Sequence, residues 1–492
     1  MINKFSRITS VALVACISFA ASAKGVKMYK TRTNNNPIIA NIFCADPTAV
    51  EYEGRLYVYG TCDEQQYLSV GASGKNTYEH IKSLIMLSTD DMVNWTYHGV
   101  IDVSKIAPWA YASWAPSITS RVESDGRTHF YLYYSNSGFG VGVLTATSPV
   151  GPWTDPIGHS IVDKNTKGLG DCEAPFDPGV VIDDNGVGWL TFGGGSPNKS
   201  KGTDYLPGNA RIVKLGSDMI SIASDIIEID TPYHFEANEL NFINGTYVYT
   251  YNTNWAGRSA WKVKGKSAPT TCSMVYMTTK TPLDASSWMY QGCYFRNPGE
   301  FQMEYSNNHT HLQKYQGKYY LFYHSLFPQK TRGTEGGFRS LCVDEIPVDE
   351  NALIITRRDG TKKGVSQIKS VNPYQMNQAE TMANSAEVNY VETDETGNLL
   401  VAGAKSGAWI LVKEVDFGSG AAAVAAQVSG KGKISVCLDT EENKPVATIA
   451  GAAGKMTEVR GAVKGAATGK HDVYFVFDGS GIQFDSWQFE AK

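Results

Sequence analysis

The sequence predicts an all-β protein, a five-bladed β-propeller followed by a β-sandwich (jelly-roll) module. Three observations carry the prediction: a hairpin half repeated five times, a composition rich in turn formers and aromatic residues, and a change of pattern near residue 356. At 492 residues the chain exceeds what one ordinary core organises, so two domains are expected. Its 48 Gly, 27 Tyr and 10 Trp favour short strands joined by tight turns. A net charge of -5 implies no basic surface and argues against a nucleic-acid partner.

The first 23 residues read as a signal peptide. Lys4 and Arg7 open it, Ile8 to Ala20 is mostly apolar, and Ala21-Ser22-Ala23 offers a small-residue cleavage site. Leu13-Val14-Ala15-Cys16 also has the form of a lipoprotein box, in which Cys16 would carry lipid. Either route predicts export to the periplasm, the cell surface or the medium. No apolar stretch of 18 residues follows, so no transmembrane helix is expected. Seven cysteines remain beyond Cys16, an odd number without metal-ligand spacing, and they read as small buried side chains.

Each repeated half is a turn with Gly, then alternating aromatic and apolar residues, then a small polar cluster. The copies begin at Gly54 (GRLYVYGTCD), Gly126 (GRTHFYLYYSNS), Gly186 (GVGWLTFGGG), Gly245 (GTYVYTYNTN) and Gly317 (GKYYLFYHS), spaced 72, 60, 59 and 72 residues apart. Period-two alternation after a turn marks a strand, and a multi-strand unit at this interval suggests propeller blades over residues 35–355. Five unrelated hairpins in a sandwich are the alternative.

Eight or nine residues before each Gly stand Asp46, Ser117, Asp177, Glu236 and His309. In a propeller the first strand of each blade lines the central channel, so residues sharing a register would meet at one end of it. Taken singly these residues have ordinary explanations, an Asp-Pro turn or a satisfied core histidine, and His311 is read as the latter. The shared register favours Glu236 over its neighbour Glu239. Three converging carboxylates in apolar surroundings would separate one another's proton affinities, and acid and base catalysis by like groups needs that separation. Glycoside hydrolysis takes one protonated acid for the leaving oxygen and one carboxylate for water or direct attack.

The blocks ADPTAVEYEGRLYVYG, SWAPSI, FDPGVVIDDNGVGWLTFGGG, FEANELNFINGTYVYTYN and NNHTHLQKYQGKYYLFYH, in that order, resemble glycoside hydrolase family 43. The resemblance implies hydrolysis with inversion, Asp46 as general base, Glu236 as general acid, and Asp177 as the group that orients the acid and raises its pKa. It places the family's channel histidine at His309, with Thr310 where a second histidine is frequent. Trp114 would wall the sugar pocket and Arg339 would reach the substrate; a core Trp and a solvated loop Arg are the plain alternatives. No catalytic cofactor is implied.

Residues 356–371 turn polar and read as a linker, and residues 372–492 resume strand alternation as a sandwich that resembles a family 6 carbohydrate-binding module. That resemblance implies a structural calcium held by Glu380 and Asp485, with Gln378 where another acid is usual. The loop that commonly presents a sugar-stacking Trp reads Gly454-Lys455-Met456-Thr457 here, so the module is expected to buttress the propeller more than to grip sugar. The combination resembles arabinoxylan arabinofuranohydrolases, with arabinoxylan or a related plant cell-wall polysaccharide as the partner. β-Xylosidase and arabinan hydrolase are the alternatives within the family, and a non-catalytic secreted glycan-binding propeller is the alternative outside it.

Overall fold

The computed structural model describes residues 25–195 and 205–492. The signal segment, with Cys16 and Ala23, lies outside the described residues. Five antiparallel sheets follow in chain order. Sheet I comprises Ala45–Tyr52, Arg55–Thr61, Ser83–Thr89 and Trp95–Asp102. Sheet II comprises Trp114–Val122, Thr128–Ser135, Gly140–Ala146 and Val162–Asp163. Sheet III comprises Gly179–Ile182, Gly188–Phe192, Arg211–Lys214 and Ile227–Glu228. Sheet IV comprises His234–Ile243, Thr246–Thr253, Met274–Thr279 and Met289–Phe295. Sheet V comprises Thr310–Tyr315, Lys318–Ser325 and Ser340–Glu345.

The five repeat glycines each sit between the first and second strand with φ between +72° and +77°. In sheets I, IV and V the residue before, Glu53, Asn244 or Gln316, is left-handed too, which is the turn whose twist suits a two-residue hairpin. First strands of consecutive sheets touch, and that of sheet V touches that of sheet I, so the five close in a ring. Alternate side chains of each strand then face different neighbouring sheets. Val58 and Leu87 pack with Phe322 and Val343 of sheet V, whereas Tyr59, Leu84 and Met86 pack with Phe130 and Leu132 of sheet II. Apolar layers of this kind lie between every adjacent pair, which is why both phases of the alternation are apolar or aromatic.

The start of the chain fastens the ring. The Ile38 amide donates to Leu341 O (2.8 Å), the Cys44 amide to Arg339 O (2.9 Å), and the Val343 amide to Asn36 Oδ1 (2.8 Å), along the free edge of sheet V.

Residues 361–368 run along the outside of sheets I and V. Thr361 donates to Asp344, Val365 joins the apolar layer between the two sheets, and Gln367 donates to Asp91. The C-terminal module is a sandwich of two antiparallel sheets. One contains Val388–Glu392, Leu399–Gly403, Ile482–Ala491, Ala421–Gly430 and Thr457–Ala462; the other contains Asn384–Ala386, Trp409–Asp416, Lys470–Asp478, Lys433–Leu438 and Ala447–Ala450. Phe475, Phe477, Phe484, Trp487 and Phe489 dominate the core between them. Thr381–Met382 pairs with the outer strand of sheet I at Thr96 and Trp95, Leu399 enters the layer between sheets I and V, and Asn94 exchanges two hydrogen bonds with the Lys413 backbone (2.9 and 3.2 Å).

Candidate active site

At the start of four first strands the backbone turns left-handed, with φ of +51° at Asp46, +38° at Ala115, +50° at Asp177 and +60° at Ala237. Strand pairing breaks at these points in sheets I, II and IV, so each is a bulge that re-aims a side chain. A left-handed non-glycine residue costs about 1–2 kcal/mol, and here the amides are held from the sheet before. Thr61 Oγ1 accepts from the Ala115 amide (2.7 Å), Ser135 Oγ from Asp177 (2.7 Å) and Asp177 Oδ2 from Ala237 (2.8 Å); His324 Nδ1, of sheet V, accepts from Asp46 (3.2 Å) and completes the circle.

The structure corrects the register taken from the sequence, because the first hairpin of sheet II turns through residues 123–127 where that of sheet I turns through 53–54. Ala115, not Ser117, occupies the place of Asp46 in sheet II; Ser117 is buried and its Oγ accepts from the Val180 amide (3.0 Å), tying sheet II to sheet III. Glu236 reaches the axis as the residue before the left-handed Ala237, one position off the place of the two aspartates.

Asp46, Trp114, Asp177, Glu236, His309 and Arg339 line one cavity of about 90 Å³ at the mouth of the ring. The structure therefore brings together all six site residues read from the propeller half of the sequence. Tyr78, Ala115, Phe176 and Asn307 also line it. They come from loops and from a bulge, and carried no repeat signal, although Phe176 adjoins Asp177 and Ala115 stands two residues before Ser117. Trp114 is a half-buried wall, its Nε1 donating to Tyr78 O (3.3 Å). A wider cleft of about 820 Å³, between sheet V and residues 361–369, carries none of these groups.

The three carboxyls differ in surroundings. Asp46 is 5% exposed; its Oδ2 accepts from Thr61 Oγ1 (2.7 Å) and its Oδ1 from Arg339 Nη1 (2.9 Å). Burial pushes it up, but the Arg339 guanidinium, with His309 beside it, offsets burial and holds the carboxyl well below the usual carboxylate range. Because His324 Nδ1 accepts from the Asp46 amide while Nε2 faces Asn307 O (3.0 Å), the ring proton belongs on Nε2 and none goes to Asp46. Burial raises Asp177, Asp46 adds to the effect and His309 opposes it; Ser135 Oγ donates to its Oδ1 (3.2 Å). Glu236 is raised furthest, by burial first and then by the charges of Asp177 and Asp46, and among the described residues no hydrogen bond reaches its carboxyl. One acid kept protonated and one base kept ionised thus share a pocket.

His309 is 3% exposed, with Nδ1 3.6 Å from Asp46 Oδ1 and no partner for Nε2 among the described residues. Glu239 does not line the pocket; it is buried, with Oε1 3.3 Å from His311 Nδ1.

A model of the glycosyl hydrolases of family 43 matches residues 34–352. The chain belongs to that family. A model of the family 6 carbohydrate-binding module matches residues 378–491 of this family 43 glycosidase. The arabinoxylan arabinofuranohydrolase of Bacillus subtilis is 37% identical over 98% of both chains, and that of Paenibacillus polymyxa 35% identical over 93% of this chain and 74% of its own. A crystal structure of a family 43 arabinoxylan arabinofuranohydrolase from Bacillus subtilis, in complex with cellotetraose, superposes with a TM-score of 0.88 at 36% identity, covering 96% of this chain and all of that one.

The family 6 half gathers oxygens where the sequence pointed. Asn398 Nδ2 donates to Asp485 Oδ1 (3.1 Å), the Leu399 amide faces Glu380 Oε1 (3.5 Å), and Gln378 pairs with the residue after Asp485. Gln378 Oε1, Glu380 Oε2 and Asn398 Oδ1 are buried without partners among the described residues, and Glu380 is pushed up to about 8, by burial first. Two carboxylates and two amide oxygens fit a hard cation such as calcium. Asn398 was not foreseen, since a lone Asn in a polar stretch gives no sequence signal. Among the described residues no helix is long and apolar enough to cross a membrane.

Proposed function

We propose that this family 43 enzyme is an exo-acting, inverting α-L-arabinofuranosidase that removes arabinofuranose side chains from arabinoxylan, on a five-bladed propeller. The observation that carries the reading is the pairing of a raised Glu236 with a depressed Asp46 in one cavity at the mouth of the ring. Glu236 gives its proton to the glycosidic oxygen as the bond to the anomeric carbon breaks. Asp46 takes a proton from the water that attacks that carbon, and the sugar leaves with inverted configuration. Asp177 keeps Glu236 protonated by its charge and holds the Ala237 amide beside it. Arg339 and Trp114 meet the sugar at the pocket wall. The choice of arabinoxylan rests on the two relatives that carry that name.

The C-terminal module is a brace, and calcium at Gln378, Glu380, Asn398 and Asp485 fixes its edge against sheet I. Its Trp, Tyr and Phe side chains between residues 378 and 491 are buried, apart from Tyr390, which is half-buried against Tyr97, so it offers no aromatic platform for sugar. The leading segment directs export, with Cys16 as the lipid site if the chain is anchored.

The test is product release from arabinoxylan and from linear xylo-oligosaccharides, side by side. Arabinose from the polymer alone is the expected result. Xylose from the oligomers would make the enzyme a β-xylosidase, cleavage confined to arabinan would make it an arabinan hydrolase, and binding without turnover would make it a glycan-capture protein.

A further inference from the structure

Arg339 is held from two sides. Nη1 reaches Asp46, while Nε and Nη2 form a two-pronged pair with Asp63, at 2.9 Å to Oδ2 and 2.8 Å to Oδ1. Asp63 is fully buried, and its Oδ2 also accepts from the Arg339 amide (3.1 Å) and from Asn76 Nδ2 (2.7 Å). It opens the helix Asp63–Val70, whose N-terminal end favours a negative charge. Tyr78, two residues beyond Asn76, lays its ring 5.0 Å from the guanidinium and carries the carbonyl that Trp114 uses.

Two carboxylates thus share one guanidinium, and a two-pronged pair fixes the plane of an arginine as a single contact does not. Asp46 receives one prong only, so Arg339 keeps the base ionised without occupying both of its oxygens. The other Asp46 oxygen takes the Thr61 hydroxyl. Were Asp63 neutral, the whole cationic charge would fall on the catalytic carboxyls, and the guanidinium would be free to turn its fork onto Asp46.

We infer that Asp63 is a positioning residue for glycoside hydrolysis: it holds the Arg339 guanidinium in place and divides its charge, so that Asp46 stays ionised yet basic and the pocket wall keeps its shape. The inference rests on the proposed roles of Asp46 and Glu236. It adds a residue that touches neither the sugar nor the reacting water and acts wholly through Arg339.

The test is Asp63→Asn in the full chain, with kcat and KM measured across pH on the substrate that the wild-type enzyme turns over, beside Arg339→Lys and the double variant. Asp63→Asn is expected to lower kcat by about 10²-fold, in line with the cost of a misplaced catalytic group. Its alkaline limb moves to lower pH, because an uncompensated Arg339 favours the ionised form of Glu236. A role in folding alone would leave the limb where it was. In the Arg339→Lys background, where no fork remains, Asp63→Asn should cost little more. If Asp63→Asn does not fold by its melting curve, Asn76→Ala carries the test: it loosens Asp63 but keeps its charge, and lowers kcat without moving the limb. Wild-type kcat and limb in a folded Asp63→Asn, full additivity in the double variant, or an unaffected Asn76→Ala would each overturn the proposal. Failure of the proposed base is separately visible, as an active Asp46→Asn.

Discussion

At the scale of residues, the site is a contrast between carboxyls of one chemical kind. Asp46→Asn and Glu236→Gln should each lower kcat by roughly 10² or more while the fold survives, read by hydrolysis assays beside melting curves. With Glu236 as the proposed acid, pushed up to about 8 from 4.5, the alkaline limb of activity should follow its ionisation, and Glu236→Gln should abolish that limb in a pH–rate profile. The same group binds its proton more tightly folded than unfolded. Its contribution to stability is therefore full below about 4.5 and drains away as pH rises through its folded value. Glu236→Gln abolishes that dependence, so the melting temperature of the variant should exceed the wild type's by a margin that grows from pH 5 to pH 9; a constant margin would refute the assignment. The residue types and their order were legible in the sequence, because Asp-Pro and Glu in apolar runs stand out. Arg339 was legible only by family resemblance, and Asp63 not at all, since its meaning lies in a contact 276 residues along the chain.

At the scale of elements, the hairpin repeat was readable because each sheet is buried on both faces and each turn demands a left-handed glycine. The register was not fully readable. Sheets I and II carry the same bulge, but sheet I turns through two residues, 53–54, and sheet II through five, 123–127, so counting back from the turn glycine placed Ser117 in the ring where the structure has Ala115. The bulges also make the ring intolerant of bulk between first strands. A Cβ on Gly179 would meet Glu239 Cα and Thr191 Oγ1, both at 2.6 Å, and Asn238 O at 2.9 Å. Gly179→Ala should therefore part sheets III and IV, which carry Asp177 and Glu236, lowering the melting temperature by several degrees and kcat with it. Unchanged values in a purified variant would contradict the close packing described for this seam.

At the scale of the whole molecule, the module is bound into the ring by a shared strand pair, a shared apolar layer and the Asn94–Lys413 exchange. Its all-β character was evident from alternation. Its attachment was not, because Thr381 and Met382 form a two-residue pair with sheet I that no pattern announces. Chelation with EDTA should lower the melting temperature, most steeply above pH 8, where Glu380 ionises without a counter-charge, and added calcium should restore it; a melting curve indifferent to EDTA would remove the calcium site. The stitch of residues 36–44 onto the edge of sheet V has a consequence in time. Asp46 and Arg339 stand 293 residues apart, and they meet only when the beginning of the chain finds a strand made near the end of the propeller. Closing so long a loop carries an entropic penalty that local hairpins do not, so the ring is the slowest piece to assemble. A chain still being made thus carries its proposed base and that group's counter-ion apart, and can act on sugar only once the last sheet of the ring has arrived.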